Sequence, residues 1–193
     1  RKAARAKTGA PAMTYGITNR VLVRPHPRPD QQNTNTRESL SVSVQQTYYT
    51  QKQASQFDFA YVSASRLSKP GNFSPLAISA RAIPTERVST TSRLEYDIST
   101  GPPISLGVQG AVSALKGLDL SADLSRTFRQ RLTNGTAIYD SIVRLGGRVV
   151  VRSMQGNYSI TRDLTRGYSV QQSLGWSYNA QCCGLAVDYQ TFN

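Results

Sequence analysis

The sequence has few of the residues on which metal and acid–base chemistry usually depend. One of its 193 residues is histidine and two are cysteines, the adjacent Cys182 and Cys183. A metal site would need more ligands at suitable spacing, so one histidine and two adjacent cysteines argue against metal or redox chemistry. His26 lies within the Pro-rich stretch 24–29. We expect it in an exposed polyproline-like loop rather than in a catalytic site.

Long hydrophobic runs are also missing. No stretch approaches the ~20 apolar residues that a membrane-spanning helix requires, and no hydrophobic segment follows Arg1 as in a signal peptide. The chain begins without Met. We therefore expect an internal piece of a longer protein, whose compartment the missing signals do not indicate.

Acidic residues are scarce. The chain has 11 Asp and Glu against 23 Lys and Arg, which gives a formal net charge of +12. A basic cluster lies within residues 1–7, and we expect residues 1–12 to form a basic tail or linker. Scattered arginines suit an anionic lipid or sugar-phosphate partner as well as nucleic acid. We expect no nucleic-acid partner, because aromatic residues are not interleaved with the basic ones.

Period-2 alternation takes the place of helical periodicity. In 40–48, Leu40, Val42 and Val44 share one face, and Ser41 and Ser43 share the other. The same pattern predicts strands at 14–23, 93–98, 104–113, 118–128, 143–152 and 168–178, with weaker candidates at 75–83, 156–163 and 183–191.

Two β architectures fit this pattern. A soluble sandwich also alternates, with its apolar residues facing inward. Small and charged residues on the polar faces, aromatics toward strand ends and many long strands favour a barrel in lipid. Short breaks near Pro84, Lys116, Met154 and Ala180 also alternate with mostly longer ones, as periplasmic turns and extracellular loops do. The long 25–36 connection breaks that rule. We predict an all-β fold, an antiparallel transmembrane β-barrel of which this chain supplies about ten strands.

The segment Tyr178–Gln190, with its consecutive cysteines, resembles the C-terminal barrel of the LPS-assembly outer-membrane protein family (LptD, or organic-solvent-tolerance protein). In that family a Cys pair lies near the start of a late barrel strand. Met13–Arg20, Ser43–Tyr49 and Phe73–Leu76 also resemble family segments. The likeness runs discontinuously over most of the chain, and its specific element is the Cys pair.

The resemblance implies an outer-membrane translocon that inserts lipopolysaccharide into the outer leaflet through a lateral opening. It implies that residues 13–193 are part of the barrel, without the N-terminal jellyroll and the remaining strands. The implied partners are lipopolysaccharide, an LptE-like lipoprotein plug, periplasmic Lpt bridge components and outer-membrane lipid. It also implies that Cys182 and Cys183 form disulfides with periplasmic cysteines outside this chain.

Five arginines on the polar faces are candidate lumen contacts for lipopolysaccharide, because guanidinium binds phosphate in a bidentate manner. The alternative, to which we give equal weight, is that these arginines are generic lumen charges without a specific ligand. The five are Arg20, Arg81, Arg93, Arg144 and Arg148.

The carboxylate pairs Glu95/Asp97 and Asp119/Asp123 are expected to pair with lumen arginines such as Arg93 or Arg144 rather than to act as acid–base dyads. Nothing in the sequence nominates a nucleophile and a base, so we expect no enzyme and no cofactor. The alternative functions are a passive porin-like outer-membrane barrel and a soluble β-sandwich binding module.

Overall fold

The computed structural model describes residues 11–24, 36–61, 70–98, 101, 103–180 and 182–193. The basic cluster at 1–7, His26 and nearly all of the 25–36 connection lie outside these residues. The described strands are β1 (Ala12–Val23), β2 (Arg37–Tyr49), β3 (Leu76–Thr85), β4 (Val88–Tyr96), β5 (Pro103–Leu115), β6 (Leu118–Arg131), β7 (Ala137–Val151), β8 (Met154–Asp163), β9 (Tyr168–Asn179) and β10 (Gly184–Phe192). A short 3₁₀ helix spans Lys52–Phe57.

All ten strands form one antiparallel sheet in which spatial order equals chain order. The predicted all-β antiparallel fold and its strand count are confirmed. The sheet is not closed, because β1 pairs with β2 and β10 pairs with β9, and these two outer strands are not paired with each other. Within the described residues the ten strands make a single layer, whereas a sandwich requires two.

The pairing register explains why these segments are strands. Ile17 lies opposite Val44, Val44 opposite Ile78, and Ile78 opposite Leu94. Since paired residues point to the same side of a sheet, the alternating apolar residues of the strands combine into one continuous apolar face. Serines, threonines and charged residues combine into the opposite, polar face.

The apolar face has no protein layer over it among the described residues. Ile17 is 79% exposed, and Leu174 and Leu185 are exposed by more than half. The few buried side chains include Tyr49, Tyr61 and Ala77. The described strands therefore have no sandwich-like core between two sheets.

The connections alternate between two ends of the sheet. At one end, which we call the turn end, are the short links Glu86–Arg87, Lys116–Gly117, Arg152–Ser153 and 180–183. At the other, the loop end, are 50–75, 97–102, 132–136 and 164–167. The predicted alternation is confirmed for the first six of these connections along the chain, with two-residue links at the turn end and longer ones at the loop end. The connections 164–167 and 180–183 are equal in length, and the long 24–36 connection falls at the turn end as the exception.

Some predicted strand boundaries are wrong: β7 begins at Ala137 rather than at 143, and β4 ends before Ile98. Ile98 was expected within the fourth strand, but β4 ends at Tyr96 and Ile98 is exposed. The ladder with β5 shifts register between Glu95 and Tyr96 and ends at Tyr96, and Gly101, at φ +83°, donates its N–H to the Asp97 carbonyl. This tight loop removes Ile98 from the ladder.

No helix in the described part of the chain is long and apolar enough to cross a membrane.

Candidate functional site

The five candidate arginines all lie on the polar face. Three of them stand in one row that crosses the sheet: Arg20 opposite Ser41, Ser41 opposite Arg81, and Arg81 opposite Thr91. The row continues through Gln109 and Asp123 to Arg144 on β7. With strands about 4.8 Å apart, Arg81 lies about 10 Å and Arg144 about 29 Å from Arg20 along this row. The sheet thus spaces these charges along a path perpendicular to the strands.

Two of the arginines face carboxylates across β6 and β7. Arg144 lies opposite Asp123, and Arg148 lies opposite Asp119. The nearest hydrogen bonds go elsewhere: Arg144 donates to the Thr161 hydroxyl at 3.3 Å, and Arg148 donates to the Gln155 amide oxygen at 2.9 Å. Both arginines remain exposed, so their guanidinium groups can still receive an anionic ligand.

Arg93 differs from the other four arginines because its side chain, 40% exposed, is partly covered and is held by both Glu95 and Ala60. It forms an ion pair with Glu95 at 3.1 Å and donates to the Ala60 carbonyl at 2.5 Å. The predicted pairing of Arg93 with a neighbouring carboxylate is confirmed. Glu95 is fully buried, and a buried carboxylate requires such a partner. We therefore assign Arg93 a structural role.

The segment that buries this ion pair is the first long connection at the loop end. The Tyr61 hydroxyl lies 3.0 Å from the Thr47 hydroxyl, and its ring lies under the Arg93 guanidinium at 6.0 Å. The Tyr49 hydroxyl donates to the Asp58 carboxylate. These contacts fold residues 50–61 over the polar face of β2 and β4. We call this segment the cover loop.

Hydroxyl pairs complete the polar face. Thr14 and Thr47 are 2.8 Å apart at their side-chain oxygens, Ser43 and Ser79 are 2.7 Å apart, and so are Ser159 and Ser173. Cross-strand hydroxyl pairs of this kind stabilise a sheet by about 0.2–1 kcal/mol each. They also leave a surface of small polar groups between the arginines.

A cleft of about 430 Å³ opens on the polar face at the loop end of β6–β8. Its charges are matched within the protein: Arg129 lies 3.6 Å from Asp140, and Arg166 lies 3.9 Å from Asp163. The hydrogen bond to the Tyr168 hydroxyl is the main cause that raises the pKa of Arg166, and the Asp163 charge adds to it. The arrangement is a pair of internal ion pairs rather than an acid–base dyad.

The two cysteines lie in the turn between β9 and β10, at the turn end of the sheet. Both are exposed and free, with their sulfur atoms 3.5 Å apart. The Ala180 N–H donates to the Cys183 carbonyl at 2.8 Å, which closes the turn. Both thiols are therefore accessible to a partner from outside the described residues.

No protein-family model matches this chain, and no curated protein sequence matches it either. Within the described residues no group of three or more His, Cys, Asp or Glu side chains could hold a metal ion.

Aromatic side chains follow the loop end of the apolar face, as expected for interfacial aromatics. Tyr48 contacts Phe73 with ring centroids 5.2 Å apart, and Phe128 contacts Tyr139 edge-on at 5.8 Å. Arg126, whose guanidinium lies 4.1 Å from the Tyr139 ring centroid, was not among the arginines predicted from the sequence. Its signal was the gap that this arginine leaves in the apolar alternation between Leu124 and Phe128.

Proposed function

We propose that this chain is part of an outer-membrane β-barrel that inserts lipopolysaccharide into the outer leaflet, as its resemblance to the LPS-assembly family implies. The observation that carries the proposal is that the two faces of the sheet differ in chemistry. One face is predominantly apolar across the ten strands and has no protein layer over it among the described residues, and the other is polar and carries exposed arginines.

The size of the apolar face supports lipid as its contact. Ten strands about 4.8 Å apart give a width of about 48 Å, and most neighbouring strands are paired over eight or more residues, which gives a height of about 25 Å at about 3.3 Å per residue. The resulting area, about 1,200 Å², exceeds the largest patch of a typical soluble monomer, about 300–600 Å². Acyl chains would cover such a face, while hydrogen bonds between strands satisfy the backbone.

The polar face supports transport of a phosphorylated sugar. Arg20, Arg81, Arg144 and Arg148 are exposed on it, and hydroxyl pairs lie between them. Guanidinium groups bind phosphate in a bidentate manner, and serine and threonine hydroxyls bind sugar hydroxyls. An amphipathic lipid needs both surfaces: a polar bore for the sugars and a membrane for the acyl chains. The outer strands β1 and β10 are where further strands of the full barrel would pair.

The turn that holds Cys182 and Cys183 supports a periplasmic orientation of the turn end. Short connections face the periplasm in outer-membrane barrels, and that compartment sustains disulfides. Partner cysteines in the periplasmic region, as the resemblance implies, would then be within reach. An LptE-like plug in the bore and the periplasmic Lpt bridge belong to the same proposal.

The test replaces Arg81 and Arg144 by Gln in the full-length protein and measures lipopolysaccharide at the cell surface. A charge-assisted hydrogen bond contributes about 1.5–3 kcal/mol, so losing two such contacts should reduce export by about tenfold or more at equal protein level. Arg87→Gln/Arg152→Gln, in two links at the turn end, removes the same number of charges and is the matched control, which should export normally. Unchanged export in the double variant would contradict the proposal.

A passive porin-like barrel is the second candidate, and the cover loop favours it because a loop folded over the polar face would narrow a pore. Anion conductance of the purified full-length protein in planar bilayers distinguishes the two. If the Arg81→Gln/Arg144→Gln protein changed small-anion selectivity while lipopolysaccharide export stayed normal, the porin reading would be supported instead.

A further inference from the structure

Positive and negative side chains are distributed unequally between the two faces. Every carboxylate within the described strands lies on the polar face by register, including Glu38, which a bulge in β2 brings opposite Leu22. The others are Glu95, Asp119, Asp123, Asp140, Asp163 and Asp188. The apolar face, in contrast, carries arginines near its loop end. Two of them are Arg126 and Arg162, and no carboxylate of a described strand lies beside these two on that face.

Arg126 is the first of these arginines. It lies opposite Leu106 on β5 and Ser141 on β7, which puts it among the apolar rows, and it is exposed. Its guanidinium lies 4.1 Å from the centre of the Tyr139 ring, and Phe128 supports that ring from the side. A cation–π contact of this kind fixes the direction of the side chain.

A narrow groove of about 120 Å³ begins beside Arg126. Leu94, Pro103 and Leu106 line it together with Tyr139. The site thus combines an apolar groove with a guanidinium at its rim, and this combination suits an acyl chain joined to an anionic headgroup.

Arg162 is the second arginine on this face. It lies opposite Val143 on β7, is exposed, and donates to the Gly167 carbonyl at 3.3 Å. Arg126 and Arg162 are separated by two strand spacings and two residues along the strand, which gives about 12 Å between their Cα atoms. Both long side chains can therefore reach one headgroup lying above Val143.

We propose that Arg126 and Arg162 form a binding site, on the lipid-facing side of the barrel, for the phosphates of an outer-leaflet glycolipid. This inference rests on the proposed function, because that function places a membrane around the barrel. The site itself lies on the opposite face from the arginines assigned to transport. A cation facing lipid costs about 2–4 kcal/mol at the bilayer midplane and about 0–1 kcal/mol near the interface. Two arginines beside an aromatic row therefore mark headgroup depth, where a phosphate neutralises them.

A glycolipid with two phosphates suits the site better than a phospholipid with one. The two cations are far enough apart to serve separate phosphates, and the loop end would face the cell exterior, where the outer leaflet holds such lipids. The groove beside Arg126 would receive the first part of one acyl chain.

The experiment purifies the full-length protein from outer membranes in mild detergent and measures retained lipid by native mass spectrometry. Defined lipids are then added back: lipopolysaccharide, its dephosphorylated form, and phosphatidylglycerol. We expect the wild-type protein to prefer phosphorylated lipopolysaccharide, and Arg126→Gln/Arg162→Gln to lower that binding by about tenfold. Arg126→Lys/Arg162→Lys, which keeps the charge without the bidentate geometry, should retain an intermediate level even if the Gln protein folds poorly.

Arg87→Gln/Arg152→Gln, in two turns at the opposite end, is the charge-matched control and should bind like wild type. Equal binding by the Gln variant and wild type, or equal binding of the dephosphorylated lipid, would overturn the site. A preference for phosphatidylglycerol would overturn the glycolipid assignment. If Arg81→Gln/Arg144→Gln left export normal while lipid retention still depended on Arg126 and Arg162, the transport proposal would fail and this site would stand.

Discussion

At the scale of single residues, the side of the sheet on which a residue falls determines what it can do. Leu120 and Ser121 are neighbours on β6, but Leu120 belongs to the apolar face and lies opposite Val112, whereas Ser121 lies opposite Gly146 on the polar face. Gly146 has no side chain, and the Ser121 hydroxyl fills the space where a methyl group would lie. Two adjacent positions of β6 therefore lie in two different environments.

A charge placed at these two positions should have very different effects. We expect Leu120→Arg to lower the free energy of unfolding by about 2–4 kcal/mol, because the guanidinium would face hydrocarbon near mid-depth. Ser121→Arg should change it by less than about 1 kcal/mol, since its side chain would enter a wet bore. Urea titration of the full-length protein in lipid vesicles measures the free energy of unfolding of both variants. Equal losses would contradict the claim that one face contacts lipid and the other contacts water.

The sequence could predict that each candidate arginine lies on the polar face, because the alternation of side chains along a strand is a local property of the chain. It could not predict that a distant loop holds the Arg93 side chain. That outcome depends on Ala60 and Tyr61, which are more than 30 residues away and reach Arg93 only after the cover loop folds over the sheet. Long-range contacts of a loop leave no periodic pattern in sequence.

At the scale of elements, the turns set the register of the sheet. Gly117 in the β5–β6 turn and Gly135 in the β6–β7 loop both have φ of +84°, a conformation that favours glycine. Their surroundings differ. A methyl carbon on Gly117 would lie 2.2 Å from the Val150 carbonyl oxygen, whereas one on Gly135 would meet no heavy atom within 4 Å.

Replacing each glycine by alanine separates backbone strain from close contact. Gly135→Ala should cost about 1–2 kcal/mol, the penalty for a left-handed alanine. Gly117→Ala should cost clearly more, because it must also displace the backbone of β7 and weaken the 2.6 Å hydrogen bond from Val150 to Gly117. The thermal unfolding temperature of the full-length protein reports both changes. A larger loss at Gly135 than at Gly117 would contradict this packing.

Strand positions were predictable from alternation, but bulges were not. The shift between Val21 and Leu22 turns Glu38 toward the polar face and into an ion pair with Arg20 at 3.5 Å. Simple alternation would have put Glu38 beside Leu40 on the apolar side. A bulge adds one residue to one strand, and the pattern of one strand does not record how many residues face it on the next.

At the scale of the whole molecule, the chain order of the strands and the alternating connections put both cysteines at the turn end. The three short turns between β3–β4, β5–β6 and β7–β8 lie at that same end. If the turn end faces the periplasm, Cys182 and Cys183 are exposed where a periplasmic domain could bond to them. A disulfide that closes so long a loop restricts the unfolded chain by several kcal/mol in the chain-entropy model.

Replacing Cys182 and Cys183 together by Ser in the full-length protein should therefore impair lipopolysaccharide export and assembly. The disulfides would fix the barrel relative to its periplasmic partner, and their loss would allow misalignment. Ser153→Ala, in the neighbouring turn, is the control and should leave export unchanged. Non-reducing electrophoresis and surface lipopolysaccharide measure the two effects, and normal export without either disulfide would refute the assigned role.

The most direct measurement of the central claim, that the apolar face contacts lipid, uses spin labels along β7. In a full-length background with Cys182 and Cys183 replaced by Ser, single cysteines are introduced at positions 142 to 147 and labelled after reconstitution into vesicles. Labels at Val143 and Leu145 should be accessible to oxygen dissolved in the bilayer, and labels at Arg144 and Gly146 to a water-soluble nickel reagent, with a period of two residues. Labels at Val143 and Leu145 that are shielded from both reagents, as in a packed protein interior, would contradict the account.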